Sequence, residues 1–329
     1  MNPQKNNRRR RLLKAGAIFF TVMFVLSAGL LLLNRWEQHF GADETDASLL
    51  EERITYNGKE YVRRNDVETL LVLGLDTYEN ADSASYRNDK QADFLMLLVM
   101  DKKDNSCKAI QINRDTMVEM DVLGVAGDKV GTTSGQLALS HTYGNGREVS
   151  CRNVANAVSE LLGVDVRHFV SVSMQAVPLY NDLVGGVRLQ ITDDFTSIDP
   201  AMAPGEIVTL TGEQALLYVR SRYGLDDPTN NQRMTRQKQY LHAVMEATDQ
   251  RIEEDADFVA SAIRTLDNYW VSDCPATQLE DMMTRYTTGD PETIYSIDGL
   301  TRMGEEFLEF YPDADSISQI VVECFYELV

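Results

Sequence analysis

The sequence predicts an α/β layered domain preceded by one N-terminal transmembrane helix. Three observations carry this. A basic tip and a long uncharged apolar run open the chain. Beyond them, apolar runs of strand length alternate with segments of helical periodicity. Hydrophobic residues make up 43% of the chain, which suits a packed core.

Residues 1–14 carry Lys5, Arg8, Arg9, Arg10, Arg11 and Lys14 and no acidic residue. Residues 15–33 then hold no charge. At about 1.5 Å per residue this run reaches roughly 29 Å, the thickness of a bilayer's hydrocarbon. The basic flank predicts an N-in, C-out orientation. A cleaved signal peptide is the alternative, but the run is long and no A-x-A site follows. A buried soluble helix fits less well, because apolar side chains occupy every face. The expected organisation is a basic cytoplasmic tip (1–14), a transmembrane signal anchor (15–34), a polar membrane-proximal stalk (35–68), a main domain (69–250) and a C-terminal extension packing on that domain (251–329).

Within the stalk, residues 59–63 read as one short strand. LLVLGLD at 70–76 is an apolar run ending in Gly and Asp, as a buried strand would. DFLMLLVMD at 93–101 and CKAIQIN at 107–113 are the next two strands. Residues 115–133, rich in Gly, Asp and Val, read as a loop, and 134–142 as a helix. Val154, Val158, Leu161 and Leu162 give 150–162 a helical stripe. HFVSVSM at 168–174 alternates as a strand does. Residues 176–183 form a helix stopped by Gly185-Gly186, and VRLQI at 187–191 is again a strand. Thr211 with Gln214 three residues later is a capping-box pattern that opens a buried helix. Residues 231–249 form a long helix. After Asp249 two helices and a final one from Ser316 are expected.

The charge balance excludes some functions. After Lys14, 25 basic face 51 acidic side chains, a net charge of −26. General nucleic-acid binding needs a basic footprint, which this lacks. Cys107, Cys151, Cys274 and Cys324 show no metal-ligand spacing, and four unpaired thiols are expected rather than two bridges. The four histidines are scattered and no HExxH occurs, so no zinc site is read from spacing.

Against this acidic background, Arg220, Arg222, Arg233, Arg236 and Lys238 fall within 19 residues. Guanidinium forks match phosphate oxygens better than point charges do. On the 231–249 helix, Arg233, Gln237, Tyr240 and Val244 share a face at i, i+4, i+7 and i+11, with Arg236 beside it. Tyr240 and Val244 look like core positions, so the arginines continue an inward stripe at the helix N-terminus, which itself favours anions. Arg114 ends a predicted strand. The plainer reading is structural ion pairing with the surplus carboxylates. Asp76 closes the first main strand and Asp93 opens the second. If those strands pair antiparallel, both carboxylates lie at one sheet edge and suit Mg²⁺ with waters and phosphate oxygens. The plainer reading there is a pair of strand-end caps.

GLD (74–76), QADFLMLLVMD (91–101), NRDTMVEM (113–120), GQLALSHTYGNG (135–146), LVGGVRLQI (183–191), LTGEQALLYVRSR (210–222) and NNQRMTRQKQ (230–239) occur in this order. Together they resemble the LytR-CpsA-Psr family of bacterial cell-envelope proteins, with weaker similarity at GEEFLEFYPD (304–313). The resemblance implies a central mixed β-sheet flanked by helices, with an apolar tunnel for a polyprenyl chain. It implies a phosphotransferase that moves an anionic glycopolymer, of teichoic acid or capsular polysaccharide type, from an undecaprenyl-pyrophosphate carrier to the C6 hydroxyl of N-acetylmuramic acid in peptidoglycan. Partners would be that lipid-linked glycan, peptidoglycan and the cell membrane, with no nucleic acid. The place would be the outer face of a Gram-positive-type cell.

By resemblance, Asp76 and Asp93 are the carboxylates for Mg²⁺ or Mn²⁺. Arg114 is the arginine of R-D-T, Arg220 and Arg222 are R-x-R, and Arg233, Arg236 and Gln237 are R-x-x-R-Q. All of these would touch pyrophosphate, with Arg114, Arg220 and Arg222 also catalytic. Two departures stand out. Gln91-Ala92-Asp93 replaces the family's R-S-D, leaving Arg87 as a substitute. Asn230 replaces an aspartate, so the catalytic proton acceptor passes to Asp227 or its neighbour Asp226. Two other classes remain: a non-catalytic sensor or scaffold that binds polyprenyl phosphate or wall polymer, and a pyrophosphatase that uses water in place of a sugar hydroxyl.

Overall fold

The computed structural model describes residues 52–76, 90–221, 230–286 and 294–329. The expected transmembrane run lies outside these residues. Among the described residues no helix is long and apolar enough to cross a membrane. The chain divides into Met1–Thr55 and Tyr56–Val329, and the second unit holds the fold.

Strand β1 (Arg53–Tyr56) precedes a turn in which Asn57 and Gly58 have φ of 49° and 74°. This Asn-Gly pair leads into β2 (Lys59–Arg63). The central sheet is built from β3 (Val67–Leu75), β4 (Ala92–Asp101), β5 (Cys107–Ile112), β8 (His168–Ser173), β11 (Trp270–Ser272) and β12 (Ile294–Ser296), in the order β11-β8-β3-β4-β5-β12. Pairing is antiparallel for β3 with β4, β4 with β5 and β8 with β11. It is parallel for β3 with β8 and for β5 with β12. The sheet is therefore mixed.

The two faces of the sheet do different things, because side chains alternate along a strand. Leu71, Leu73 and Leu75 point one way and are 0% exposed. With Leu95, Leu97, Ile110 and Ile112 they pack on Val154 and Val158 of α1 (Glu148–Leu162) and on Ile320 and Phe325 of α7 (Ala314–Phe325). Truncating any one of these leucines to Ala costs about 2–5 kcal/mol. Gly163, at φ 65°, ends α1 in the left-handed conformation that glycine adopts without penalty.

Leu70, Val72 and Gly74 point to the opposite face. There they meet α4 (Asn231–Glu254), α5 (Phe258–Thr265) and α6 (Ala276–Arg285). Beside them lie α2 (Ala176–Leu183), the antiparallel pair β9 (Val187–Gln190) and β10 (Ile207–Leu210), and α3 (Gly212–Arg220). Their apolar side chains form a second core around Phe195, Tyr218, Tyr240 and Phe258. Both bonds of the expected capping box are made: Gln214 N–H donates to Thr211 Oγ1 at 3.3 Å and Thr211 N–H to Gln214 Oε1 at 3.0 Å. A side chain at Gly212 would meet the Pro178 carbonyl at 2.6 Å, so glycine permits the close crossing of α2 and α3.

Several expectations are corrected. Residues 115–133 are not a loop: β6 (Met117–Leu123) and β7 (Lys129–Gln136) pair antiparallel, with a bulge near Val122. The apolar residues of β6 do not alternate cleanly and β7 is mostly polar with two glycines, so neither stretch shows a clear strand period. The helix expected over 134–142 is the end of β7 and then a 3₁₀ segment, Leu137–Thr142. Helix α4 runs on to Glu254, past the boundary drawn at 250. Strand β2, placed in the stalk, pairs with the C-terminal β15 (Tyr326–Leu328) and so belongs to the domain. A final hairpin, β13 (Gly299–Met303) with β14 (Leu308–Pro312), was not foreseen. All four cysteines are free and buried.

Two buried polar side chains fix the ground around the site. Arg236 is 1% exposed. Its Nε donates to the Tyr218 carbonyl at 2.9 Å, its Nη groups to the Ser221 carbonyl and to Asp193, and its guanidinium lies 5.4 Å from the Phe195 ring. It thereby locks the end of α3 to the start of α4. Replacing Arg236 with Met should cost about 3 kcal/mol, read from the denaturant midpoint, because the carbonyls and Asp193 lose a buried charged donor. His141 is fully buried in the 3₁₀ segment and holds the Lys90 carbonyl at 3.0 Å through Nδ1. Burial pushes its pKa down to about 4. The unfolded chain therefore binds the extra proton first, and stability falls as pH drops from about 6.5 towards 4, by up to about 1.4 kcal/mol per unit. His141→Asn should flatten that slope in thermal melts taken across this range.

Candidate functional site

A polar cavity of about 860 Å³ opens where β3 ends and β4 begins. The β3–β4 ladder slips between Gly74 and Leu75, so Leu75 pairs with Ala92 while Gly74 pairs with Phe94. Asp76 and Asp93 flank this irregularity and both line the cavity. The antiparallel arrangement considered from sequence is the one present.

Each carboxylate meets an arginine from a different element. Arg220, the last residue of α3, brings Nη2 to 3.3 Å of Asp76 Oδ1. Both side chains are about half exposed. Arg114, just past β5, is 8% exposed and donates Nη1 to Asp93 Oδ1 and Nη2 to Gln91 Oε1. Its Nε lies 3.5 Å from Asp115 Oδ1. Arg233, in the first turn of α4 and 5% exposed, donates Nη2 to the Asp93 carbonyl at 3.3 Å. Three arginines and two aspartates from five chain segments thus converge. With Lys90 and Glu213 the cavity carries four cationic and three acidic side chains, a local excess of positive charge in a chain of net −20.

Not every predicted site residue arrives. Arg236 and Gln237 do not line this cavity. Arg236 is spent on Tyr218, Ser221 and Asp193, and Gln237 donates to the Val219 carbonyl at 3.2 Å. The helical stripe led to both, but one turn carries Arg233 into the cavity while its neighbours hold α3 from behind. Asn230 is buried and donates Nδ2 to Asn113 Oδ1 at 3.1 Å. Arg87, Arg222, Asp226 and Asp227 lie outside the described residues.

Some contributors were missed. Gln91 orients Arg114, and its place two residues before Asp93 on an extended segment is a signal that it faces the same way. Lys90 lines the cavity and its carbonyl is held by His141; nothing in the sequence pairs those two. Glu213 enters from the first turn of α3.

Behind the polar cavity the sheet face is apolar. Three cavities of about 230, 350 and 210 Å³ share Val72, Leu241 and Val244 and so adjoin. Phe94, Met96, Leu98 and Met100 of the sheet floor them, and Met245, Met282 and Met283 stand among the helical residues above. The nearest of the three includes Phe94 and Val219, the chain neighbours of Asp93 and Arg220. A row of adjoining apolar cavities, here called the channel, thus has lining residues next in the chain to those of the cationic pocket, an arrangement that suits an amphiphile with a charged head.

The donor set suits a hard cation. Two carboxylates and the Gln91 amide oxygen offer oxygen ligands alone, and Mg²⁺ needs few of them because it keeps waters and phosphate oxygens. The arginines already beside both aspartates show that these oxygens accept positive partners.

Comparison with known proteins agrees with this architecture. The sequence is 27% identical over 217 residues to the polyisoprenyl-teichoic acid–peptidoglycan teichoic acid transferase TagU of Halalkalibacterium halodurans, covering 64% of this chain and 65% of that one. The chain thus spans just under two thirds of this relative's length. The fold is similar to the crystal structure of B. subtilis TagV, with a TM-score of 0.58, 21% identity and coverage of 78% of this chain and 95% of that one. It is also similar to TagT bound to LIIa-WTA, with a TM-score of 0.56, 18% identity and coverage of 79% and 90%. The sequence profile of the LytR_cpsA_psr family matches residues 37–319, which hold the whole central sheet and its helical covers apart from the end of α7, and the chain belongs to that family.

Proposed function

We propose that the protein is an extracytoplasmic phosphotransferase. It moves an anionic glycopolymer, of teichoic acid or capsular polysaccharide type, from an undecaprenyl-pyrophosphate carrier to a hydroxyl of peptidoglycan. One observation supports this above the others: a pocket of arginines and aspartates at the mouth of an apolar channel. That pairing matches a prenyl tail and a pyrophosphate head. The family relation and the name of the TagU relative point the same way. The basic tip and apolar run at residues 1–34 support single-pass anchoring in the membrane of a Gram-positive-type bacterium, with the domain outside.

In this reading the prenyl chain lies along Val72, Leu241 and Val244. Arg114, Arg220 and Arg233 then hold pyrophosphate oxygens with forked hydrogen bonds. The acceptor hydroxyl attacks the sugar-side phosphorus and forms the new P–O bond. The bridging P–O bond breaks, and undecaprenyl phosphate leaves with the electron pair. The hydroxyl proton passes to a carboxylate, the role the sequence offers to Asp227. Asp76 and Asp93 are the residues that would hold Mg²⁺, or Mn²⁺ in its place, whose charge would stabilise the phosphate oxygens. The arginines are placed before the reaction begins, so little reorganisation is needed as charge develops.

Arg220→Lys tests the clamp. A charged hydrogen bond is worth about 1.5–3 kcal/mol and lysine cannot reproduce the fork. Transfer should fall at least about tenfold, the factor set by roughly 1.4 kcal/mol. Melting temperature should stay nearly constant, since the Arg220 side chain is 58% exposed. A drop in stability with normal turnover per folded molecule would show a structural ion pair instead. Assays with and without peptidoglycan separate the other classes. Release of glycan phosphate without acceptor would indicate a pyrophosphatase, and binding without turnover a sensor. Val72→Trp tests the channel. It should weaken use of long-chain carriers at least about tenfold, in KM, while a short-chain analogue is turned over as before.

A further inference from the structure

A second cluster of reactive side chains lies at the far end of the sheet. His168 opens β8, and Asp273 and Cys274 follow β11, its antiparallel neighbour. His168 pairs with Leu70, whereas the arginine–aspartate cavity begins beyond Leu75. At about 3.3 Å per residue the two places are roughly 17 Å apart along β3.

We propose that His168, Asp273 and Cys274 bind a zinc-class transition-metal ion. One ligand atom from each lies within 4.8 Å of the others. His168 Nδ1 is 3.7 Å from Asp273 Oδ1, and Cys274 Sγ is 3.8 Å from the same oxygen. Zinc bonds of about 2.0–2.3 Å place tetrahedral ligands on the order of 3.3–3.8 Å apart. The observed spacings need only small adjustments to meet this. Among the described residues it is the one place where three such side chains converge.

The surroundings already orient the ligands. The other ring nitrogen, Nε2, faces Glu68 Oε1 at 3.8 Å and the Gln278 amide at 3.3 Å. A carboxylate behind the histidine is the usual outer partner of a metal-bound imidazole. Glu68 is itself held by Lys102 at 3.3 Å. Asp273 Oδ1 accepts the Phe169 N–H at 2.9 Å, and Oδ2 is held by Arg152. The ion must share Asp273 with that arginine. One imidazole, one thiol and one carboxylate, with water in a fourth position, suit zinc and its neighbours; Mg²⁺ prefers oxygen alone. On binding, the Cys274 thiol releases its proton to solvent and the thiolate charge falls on the cation.

The site bears on the apolar channel without taking part in transfer. Cys274 packs with Leu70, Met100, Leu279 and Met282, and the last two belong to α6 above the channel. A bound ion would tie the β11–α6 connection to the start of β8.

The test uses the full chain in detergent, reduced, stripped of metal and titrated with Co²⁺. The expected result is one equivalent that produces a near-ultraviolet thiolate-to-cobalt charge-transfer band. Zn²⁺ should displace it and excess Mg²⁺ should not. Cys274→Ser should abolish the band and His168→Gln should weaken Co²⁺ binding at least about tenfold, while Asp76→Asn keeps it. Circular dichroism confirms that each variant folds. An oxygen-only cobalt spectrum in the unaltered chain, or a band that survives Cys274→Ser, overturns the proposal. Because Asp76→Asn is judged by spectrum and not by turnover, failure here leaves the transferase reading untouched.

Discussion

The antiparallel ladder between β3 and β4 is the constraint on which the site depends. Its slip at Gly74 lets the strands end with Asp76 and Asp93 in one cavity. A Cβ at Gly74 would come within 2.8 Å of the Phe94 Cβ, so the close approach of the strands rests on that glycine. Had the register moved by one residue, every side chain of β4 would change face. Asp93 would leave the cavity, and Phe94 and Met96 would leave the channel. One backbone alignment therefore sets the position of the carboxylates and the lining of the apolar face together.

Helix α4 supplies the second requirement. A cluster of arginines in an acidic protein can line a cavity or form a structural network, and here consecutive turns supply both. Arg233 reaches the cavity and touches the Asp93 carbonyl. Arg236, three residues on, is surrounded by two carbonyls, Asp193 and an aromatic ring. A buried guanidinium requires such a set of partners, since leaving its charge unmet is costly. By fixing where α3 ends, Arg236 also fixes Arg220, which stands at that end. The structural arginine positions the exposed one.

Much of this was legible in the sequence, for definable reasons. The strands 70–76, 93–101 and 107–113 showed as apolar runs because both their faces are covered. The capping box at Thr211 showed because it is local chemistry. The β6–β7 hairpin did not show, since the apolar residues of β6 do not alternate cleanly and β7 is mostly polar with two glycines. Strands β11 and β12 have three residues each, too few for a period to appear. The division of labour between Arg233 and Arg236 was also hidden. Both lie on or beside one stripe, and only the path of α3 and of the segment holding Asp193 decides which lines the cavity. The thiol at Cys274 likewise had no spacing signal, because His168 is over a hundred residues away in sequence and only the β8–β11 pairing brings them together.

The wall shared by core and channel has one further consequence. β3 contributes Leu71, Leu73 and Leu75 to a close-packed interior and Leu70 and Val72 to the opposite, cavity-lining face. A floor anchored in this way cannot bow outward to admit a bulkier guest without disturbing the core beneath it. The compliant side is the helical roof, where Met245, Met282 and Met283 gather. Methionine is unbranched and polarisable and adapts its shape at little cost. Rigid below and pliant above, such a passage grips by total apolar contact rather than by outline. It can follow apolar guests of differing length and outline by adjusting the roof, while the floor stays fixed.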